Sequence, residues 1–278
     1  VHSGDSIAVY PTKSLSSQAK EKIASYTERI ALALQAQGMV NIQFVVDGDD
    51  VYIIEVNPRA SRTVPFMSKV TNIPMAELAT RVMLGEKLTE SGLKPEIGDI
   101  AVKAPVFSFA KLSQVDTVLG PEMKSTGEVL GRAPVFYQAL YKALIASGLS
   151  IPQEGTVLFT VADKDKNEIL PLAQGFYELG YRLIATTGTA AYLNVHGIRT
   201  ERVNKLFEGS PNIVDLLQTG EIDLIINTIT KGKTPAREGF QIRRRAAERG
   251  IPCLTSLDTA TALYEALRKI QLQATPLL

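Results

Sequence analysis

From about residue 156 onward, short apolar segments alternate with helical patterns, and this alternation constrains the fold more than any other feature of the sequence. Strands are predicted at Val157–Val161, Tyr181–Ala185, Ile198–Val203, Asp223–Asn227 and Ile251–Leu254. Because a helix connects each strand to the next, neighbouring strands are expected to run in parallel. The pattern therefore predicts an α/β doubly wound parallel sheet, which binds ligands outside the carboxyl ends of its strands.

The first 88 residues follow a different pattern, typical of an α+β unit. Two apolar segments, Met39–Val46 and Val51–Val56, flank the turn sequence Asp47-Gly-Asp-Asp50 and predict a β-hairpin. Capping and stop signals predict helices over Ser17–Gln37, Pro65–Val70 and Pro74–Leu84. We predict the α+β unit over residues 1–88, an irregular connecting segment with one helix over residues 89–150, and the α/β domain over residues 151–278.

Composition narrows the class of protein. The chain has 278 residues and a net charge of +1, which gives no reason to expect nucleic acid or a membrane surface as a partner. No apolar run approaches the roughly 20 residues of a membrane helix. The single cysteine, Cys253, excludes an internal disulfide and is expected to be buried and inert. We therefore expect a cytoplasmic protein.

Oxygen-bearing side chains gather on the predicted hairpin. Glu55 and Asn57 lie two residues apart on one strand, so they point to the same face, and Gln43 lies on the other strand. Carboxylate and amide oxygens suit Mg²⁺, and the guanidinium groups of Arg59 and Arg62, just beyond the strand, suit phosphate. The group predicts a nucleoside triphosphate site. The alternative is an ordinary alternating strand on which Glu55 faces water.

A second polar group follows the strands of the α/β domain. Hydroxyls, amides and lysines near strand ends could form an anion-binding site at a helix N-terminus. The alternative is ordinary helix capping by Thr186 with solvated lysines. The residues of this group are Lys166, Thr186, Thr189, Asn204, Lys205, Asn227 and Thr228.

Two further basic segments accompany this group. The loop Lys231-Gly-Lys-Thr234 and the run Arg243-Arg-Arg245 are additional candidates for anion binding. For the three consecutive arginines, a solvated helix face is the expected arrangement.

Long segments of the chain resemble one family. Ile54-Glu-Val-Asn-Pro-Arg-Ala-Ser-Arg-Thr-Val-Pro-Phe66 and Gly38-Met-Val-Asn-Ile-Gln-Phe44 closely resemble the ATP-grasp fold of the carbamoyl-phosphate synthase large subunit, in its second, carbamoyl-phosphate-forming half. Val1-His-Ser-Gly-Asp5 resembles a segment near its nucleotide, and Leu119–Glu128 a segment leading out of the synthetase domain. Residues 156–278 resemble its methylglyoxal-synthase-like regulatory domain. The expected fold is the C-terminal portion of an ATP-grasp domain followed by that domain.

The resemblance implies ATP-dependent phosphorylation of carbamate to carbamoyl phosphate, for pyrimidine and arginine biosynthesis, with a glutamine amidotransferase small subunit as partner. It implies Mg²⁺ or Mn²⁺ on Gln43, Glu55 and Asn57, and phosphate or carbamate contacts, the catalytic role, for Arg59 and Arg62. ATP contacts are implied for Val1, His2, Ser3, Gln43 and Glu55. An effector, uridine monophosphate or phosphoribosyl pyrophosphate, is implied at Lys166, Thr186, Thr189, Lys205, Asn227 and Thr228.

Other functions stay open on the sequence. The family's nucleotide-clamping subdomain precedes the segment that Val1 begins, so the isolated chain is expected to be inactive as a synthetase. One alternative is a stand-alone nucleotide-sensing module. Another is a methylglyoxal-synthase-like lyase, for which Asp163 or Asp165 could supply the carboxylate base.

Overall fold

A computed structural model provides the structure of the chain. It describes residues 1–89, 92–94, 96, 98–111, 116–149, 151–206, 208–229 and 238–269. The chain divides into two compact units, one formed by Val1–Ile7 with Ala104–Leu278 and the other by Ala8–Lys103. Residues 104–149 therefore group with the α/β domain, while the boundary predicted near residue 150 stays a prediction. Within the described ranges, no helix combines the length and the apolar character that crossing a membrane requires.

The unit Ala8–Lys103 begins with a short strand and a long helix. Strand β1, Ala8–Tyr10, pairs antiparallel with the first residues of β4, Ile100–Phe107. Helix α1, Ser17–Ala33, starts where the sequence predicts, because the Ser16 hydroxyl accepts a hydrogen bond from the Ala19 N–H at 3.1 Å. It ends earlier than predicted, since Gln35 adopts a left-handed conformation with φ of 48°.

The predicted hairpin is present. Strands β2, Asn41–Asp47, and β3, Asp50–Asn57, pair antiparallel, and Gly48 supplies the positive φ that their tight turn needs. A bulge after Gln43 leaves Ile54 as the extra residue of β3. Two short helices follow, α2 over Thr63–Thr71 and α3 over Met75–Met83.

Strand β5, Ser125–Ala133, lies in the segment that the sequence predicts to be irregular. The last residues of β4 lie beside it, and the hydroxyls of Ser108 and Thr126 are 2.9 Å apart. Helix α4, Phe136–Ala146, packs against β5 so closely that a Cβ on Gly131 would come within 2.0 Å of the Ala139 carbonyl oxygen. Glycine is therefore required at position 131, where it also interrupts the apolar pattern of the strand.

The α/β domain contains the predicted parallel sheet. Its spatial order is β10-β9-β6-β7-β8, and every neighbouring pair is parallel. The strand order therefore changes direction between the neighbours β6 and β9, which marks the usual ligand position of a doubly wound sheet. The strands are β6 Thr156–Thr160, β7 Arg182–Thr186, β8 Glu201–Val203, β9 Leu224–Asn227 and β10 Cys253–Leu254. The helices are α5 Lys166–Glu178, α6 Thr187–Val195, α7 Ile213–Thr219, α8 Glu238–Arg249 and α9 Leu257–Lys269.

Helices cover both faces of this sheet, so its central strands β6, β7 and β9 are mostly apolar and buried, whereas the edge strand β8 exposes Glu201 and Arg202. On one face, Leu158 and Ile225 pack in a fully buried cluster with Ile213 of α7 and Ile242 of α8. On the other face, the ring of Phe159 meets that of Phe176 from α5 with centroids 6.4 Å apart. Consecutive residues of a central strand thus pack against helices on opposite faces of the sheet.

Strand β8 is shorter than predicted because the Asn194 side chain forms hydrogen bonds with the backbone of Thr200, within the segment predicted to be strand. The Asn194 amide donates to the Thr200 carbonyl oxygen at 2.8 Å and accepts from the Thr200 N–H at 3.1 Å. These bonds engage the backbone groups of Thr200 outside the sheet, and the strand begins at Glu201.

Candidate functional site

The hairpin brings the three predicted metal ligands together. Gln43 of β2 lies directly opposite Glu55 of β3, and Asn57 follows on the same face of the strand. The Glu55 Oε1 atom accepts hydrogen bonds from Gln43 Nε2 at 2.8 Å and from Asn57 Nδ2 at 2.9 Å. Their predicted convergence is thus observed, and their role as ligands stays a prediction.

The donor set fits a hard cation. If each amide group turned over about its terminal bond, the Gln43 and Asn57 oxygens would face the same point as the Glu55 carboxylate, an arrangement that suits Mg²⁺ or Mn²⁺. Glu55 is exposed in this chain, however. Its charge therefore carries no cost of burial that a cation would offset. The convergence of Gln43, Glu55 and Asn57 is the observation that favours a cation.

The candidate metal site differs from a site built of several charged ligands. Across the described part of the chain, no three His, Cys, Asp or Glu side chains gather closely enough to hold a metal ion. The group of Gln43, Glu55 and Asn57 contains one carboxylate and two neutral amides. A cation here would depend on the amide oxygens and on oxygens of a bound phosphate.

The two predicted catalytic arginines follow β3. The Arg59 N–H donates to the Asn57 carbonyl oxygen at 2.8 Å, which turns the chain sharply after the strand. The exposed guanidinium of Arg59 donates to the Ala60 carbonyl oxygen at 3.0 Å. Arg62 precedes the first residue of α2. Both arginines thus follow the strand that carries Glu55 and Asn57, and their contacts with phosphate stay predictions.

Val1, His2 and Ser3, the other predicted ATP contacts, belong to the other unit. His2 is held in place, because its N–H donates to the Gly120 carbonyl oxygen at 2.8 Å and its Nδ1 accepts from the Gly4 N–H at 3.0 Å. When its ring is neutral, His2 must therefore carry its proton on Nε2. Val1 is largely exposed.

Asp5 is a structural residue that the sequence does not reveal. Its buried carboxylate accepts hydrogen bonds at 2.8 Å from the backbone N–H groups of Lys124 and Ser125. Burial raises the pKa of this carboxyl, but the hydrogen bonds from Ser125 and Lys124 and the nearby His2 outweigh it and hold the pKa below its ordinary value. Asp5 thus ties the N-terminal segment to the start of β5.

The six predicted effector residues all line one cavity. It has a volume of about 410 Å³ and lies at the carboxyl ends of β6, β7 and β9, beside the point where the strand order changes direction. Lys166 comes from α5, Thr186 and Thr189 from β7 and α6, and Lys205 from the segment after β8. Asn227 and Thr228 end and follow β9. The sequence grouping is therefore correct in space, and its ligand stays a prediction.

Several polar groups of the cavity are already engaged. The Lys166 ammonium lies 2.6 Å from the Asp163 carboxylate. The Thr228 hydroxyl accepts from the Ala162 N–H at 2.8 Å. Thr186 makes no side-chain cap bond at the start of α6, so ordinary capping does not explain it. The Thr187 hydroxyl, in the first turn of the same helix, is buried without a hydrogen-bond partner.

Two carboxylates occur among the described residues that line the cavity, Asp163 and Glu238. A hydrogen bond from Lys166 and the charges of Lys166 and Lys205 lower the pKa of Asp163, which makes it a weaker base. Glu238 accepts a hydrogen bond from the Leu206 N–H at 2.9 Å. Asp165, the other base expected for a lyase, does not line the cavity.

The arginine run of α8 corrects a prediction. Arg243 and Arg244 are buried, so the expected solvated face is wrong for these two residues. Arg244 donates to the Phe109 carbonyl oxygen and pairs with Glu248, whereas Arg243 pairs with Asp116. Asp116 and Phe109 lie more than a hundred residues away in the sequence, so no local signal predicts the burial. The loop 231–234 lies outside the described residues.

Cys253 agrees with an inert thiol. It packs against the apolar cluster between β6, α7 and α8 and is half-buried. Burial raises the pKa of its thiol to about 12, so almost none of it is thiolate near neutral pH.

Comparisons with known proteins match the two parts of the chain separately. Residues 1–91 match the family model of the carbamoyl-phosphate synthase L chain, ATP binding domain. Residues 168–255 match the model of the MGS-like domain. The two matches lie on the two segments that carry the hairpin and the parallel sheet.

Similar solved structures each cover part of the chain. A methylglyoxal synthase from Elizabethkingia anophelis NUHP1 is 18% identical over 41% of this chain and 79% of its own, with a TM-score of 0.35. The biotin carboxylase domain of a thermophilic 2-oxoglutarate carboxylase, bound to bicarbonate, is 16% identical over 50% of this chain and 38% of its own, with a TM-score of 0.40. ForH is 24% identical over 40% of this chain and 78% of its own, with a TM-score of 0.29.

The order of the two matches along the chain agrees with the resemblance found in the sequence. An ATP-grasp segment of the synthase L-chain type comes first, and an MGS-like α/β domain with five parallel strands follows it. In this order and with these folds, the chain matches the C-terminal part of the carbamoyl-phosphate synthase large subunit.

Proposed function

We propose that the chain contributes to the ATP site at which the large subunit of glutamine-hydrolysing carbamoyl-phosphate synthase phosphorylates carbamate. The convergence of Gln43, Glu55 and Asn57 on one face of the hairpin carries this proposal, because the match to an ATP-binding domain includes these residues. The products are carbamoyl phosphate and ADP.

The residues of the proposed site fall into three groups with different roles. Gln43, Glu55 and Asn57 would hold Mg²⁺ or Mn²⁺, which when bound neutralises charge on the phosphates of ATP. Arg59 and Arg62 bind phosphate or carbamate oxygens through their planar donors. On the resemblance of their segment alone, Val1, His2 and Ser3 are assigned to the nucleotide, and His2 offers its Nε2–H.

The substitution Glu55→Gln tests this function. It keeps the size of the side chain and removes the charge, so we expect ATP formation from carbamoyl phosphate and ADP to fall by about a hundredfold. The measurement uses a synthase large chain that carries this sequence as its C-terminal part, together with the small subunit. Asp50→Asn, at the other end of β3, is the matched control and should leave the rate within about twofold. Full activity of Glu55→Gln would contradict the metal assignment.

For the α/β domain, we propose a regulatory site for a phosphorylated nucleoside. Its support is that Lys166 and Lys205 meet hydroxyls and amides in one cavity, whose volume of about 410 Å³ lies within the range of small-molecule sites. Uridine monophosphate is the proposed effector, and phosphoribosyl pyrophosphate offers the same phosphate chemistry.

Calorimetric titration of the chain with uridine monophosphate tests the second site. Lys205→Met should weaken binding by about tenfold, since one charge-assisted hydrogen bond to phosphate is lost. Lys164→Met, a neighbouring exposed lysine that does not line the cavity, should change it less than about twofold. Equal affinities for both variants would contradict the site. Release of phosphate from a triose phosphate would favour the lyase instead.

The remaining parts of the proposal rest on the family alone. They are a glutamine amidotransferase small subunit as partner, a cytoplasmic location, and a role in pyrimidine and arginine biosynthesis. Co-purification of the large chain with a glutaminase subunit is the direct test of the partner.

A further inference from the structure

Arg243 connects the wall of the effector cavity to a distant segment of the same unit. Its Nη1 donates to Asn227 Oδ1 at 2.8 Å, and Asn227 lines the cavity. Its Nε and Nη2 donate to the two carboxylate oxygens of Asp116, both at 3.1 Å. The side chain of Arg243 is 8% exposed and that of Asp116 is 24% exposed. One buried guanidinium is therefore shared between the cavity and Asp116.

Asp116 belongs to a segment held mainly by side chains. Residues 116–124 form neither helix nor strand. The Lys124 ammonium donates to the carbonyl oxygens of Asp116 at 3.0 Å and of Val118 at 2.7 Å, and the Val118 N–H donates to Asp116 Oδ1 at 3.1 Å. A backbone outside regular structure has few bonds of its own, so its position depends on these contacts.

The same segment reaches the N-terminus of the chain. The N–H groups of Lys124 and Ser125 both donate to the Asp5 carboxylate. The Gly120 carbonyl oxygen accepts from the His2 N–H. A continuous set of hydrogen bonds thus runs from Asn227 through Arg243 and the segment 116–125 to Asp5 and His2, entirely within one unit.

We propose that Arg243 is a positioning residue that couples occupancy of the cavity to the arrangement of residues 116–125 and of the N-terminal residues 2–5. The proposal rests on the proposed nucleotide site. A ligand that hydrogen-bonds to Asn227 competes with Arg243 for the amide oxygen, and a bound phosphate attracts the guanidinium away from Asp116. Because a buried guanidinium is costly to leave unpaired, Arg243 and its partners shift together.

Hydrogen exchange of the Lys124 and Ser125 amides, which donate to Asp5, reports on the far end of this connection. In the unaltered chain, saturating uridine monophosphate should change their exchange rates by about fivefold or more, the lower end of typical coupling between sites. In Asp116→Asn, which keeps the shape of the side chain and removes its charge, the nucleotide-dependent change should fall below about twofold. Asp116 does not line the cavity, so the affinity measured by calorimetry should stay within about threefold.

Arg244→Lys is the matched control. Arg244 is also a buried arginine of α8, but the bonds described for it lead to Glu248 and Phe109 rather than to Asn227. Its substitution should leave the nucleotide-dependent change in exchange intact. Circular dichroism and urea midpoints establish that each variant is folded. If Asp116→Asn does not fold, Lys124→Met removes the next link and carries the same expectation.

The outcomes separate the two proposals. Absence of nucleotide binding to the unaltered chain would overturn the effector site and this coupling with it. Binding without any change in exchange at Lys124 and Ser125 would overturn the coupling alone. A nucleotide-dependent change in Asp116→Asn as large as in the unaltered chain would also overturn it.

Discussion

Asp5 illustrates at the scale of one residue how a buried carboxylate stabilises irregular backbone. The backbone N–H groups of Lys124 and Ser125 donate to its two oxygens. The pKa of Asp5 lies below its ordinary value of 3.8, because these hydrogen bonds favour the ionised form more than burial disfavours it. A lowered pKa means that the folded state gains stability from ionised Asp5 at every pH above about 4.

We expect Asp5→Asn to lower the free energy of unfolding at pH 7 by about 1–3 kcal/mol, since an amide NH₂ must face one of the two N–H donors. The difference from the unaltered chain should shrink as the pH falls from about 4 through the lowered pKa of folded Asp5, because protonation removes the contribution of its charge. Urea denaturation at pH 7 and at pH 3 measures both values. Glu154→Gln, an exposed carboxyl, serves as control. A difference that is unchanged with pH would contradict the role of the charge.

Helix α7 shows at the scale of one element how a short helix near the cavity is stabilised. It has seven residues, too few to be stable alone. The Asn212 side chain accepts from the N–H groups of Val214 and Asp215, and the Asp215 carboxylate accepts from the Asn212 N–H, which forms a capping box. The backbone of Asn204, next to Lys205, also pairs with Asn212. The cap therefore anchors the segment that brings Lys205 to the cavity.

Two substitutions of Asn212 test whether its side-chain hydrogen bonds stabilise the helix. Asn212→Ala should lower the free energy of unfolding by about 1 kcal/mol, whereas Asn212→Ser, which keeps an acceptor oxygen, should recover most of this loss. Chemical denaturation compares the two variants with the unaltered chain. Equal destabilisation by both substitutions would show that the hydrogen bonds to Val214 and Asp215 are not the cause.

At the scale of the whole molecule, the sequence predicts those features that depend on regular periodicity. The parallel sheet follows from largely apolar central strands separated by helices, and convergence at the cavity follows because the carboxyl ends of parallel strands meet at one edge. Strand alternation places Glu55 and Asn57 on one face, as the sequence predicts, whereas the position of Gln43 opposite Glu55 depends on the bulge after Gln43.

Features that depend on distant contacts could not be predicted in this way. Strand β5 contains Gly127 and Gly131 and lacks apolar alternation. Position 131 must be glycine because α4 approaches the strand closely there. The burial of Arg243 depends on Asp116, which lies 127 residues away in the sequence. A charged run on a helix normally indicates a solvated face, and only the tertiary fold supplies the partner that reverses this expectation.

The strand order changes direction between β6 and β9, and the helices beside the cavity therefore lie on opposite faces of the sheet. Lys166 lines the cavity from α5 on one face, while Gly239 and Ile242 line it from α8 on the other. Substitutions in α8 therefore change one wall of the cavity and leave the lysine on the opposite wall in place. Under the proposed function, the wall at α8 would adapt to different effectors while Lys166 kept its role in binding an anion.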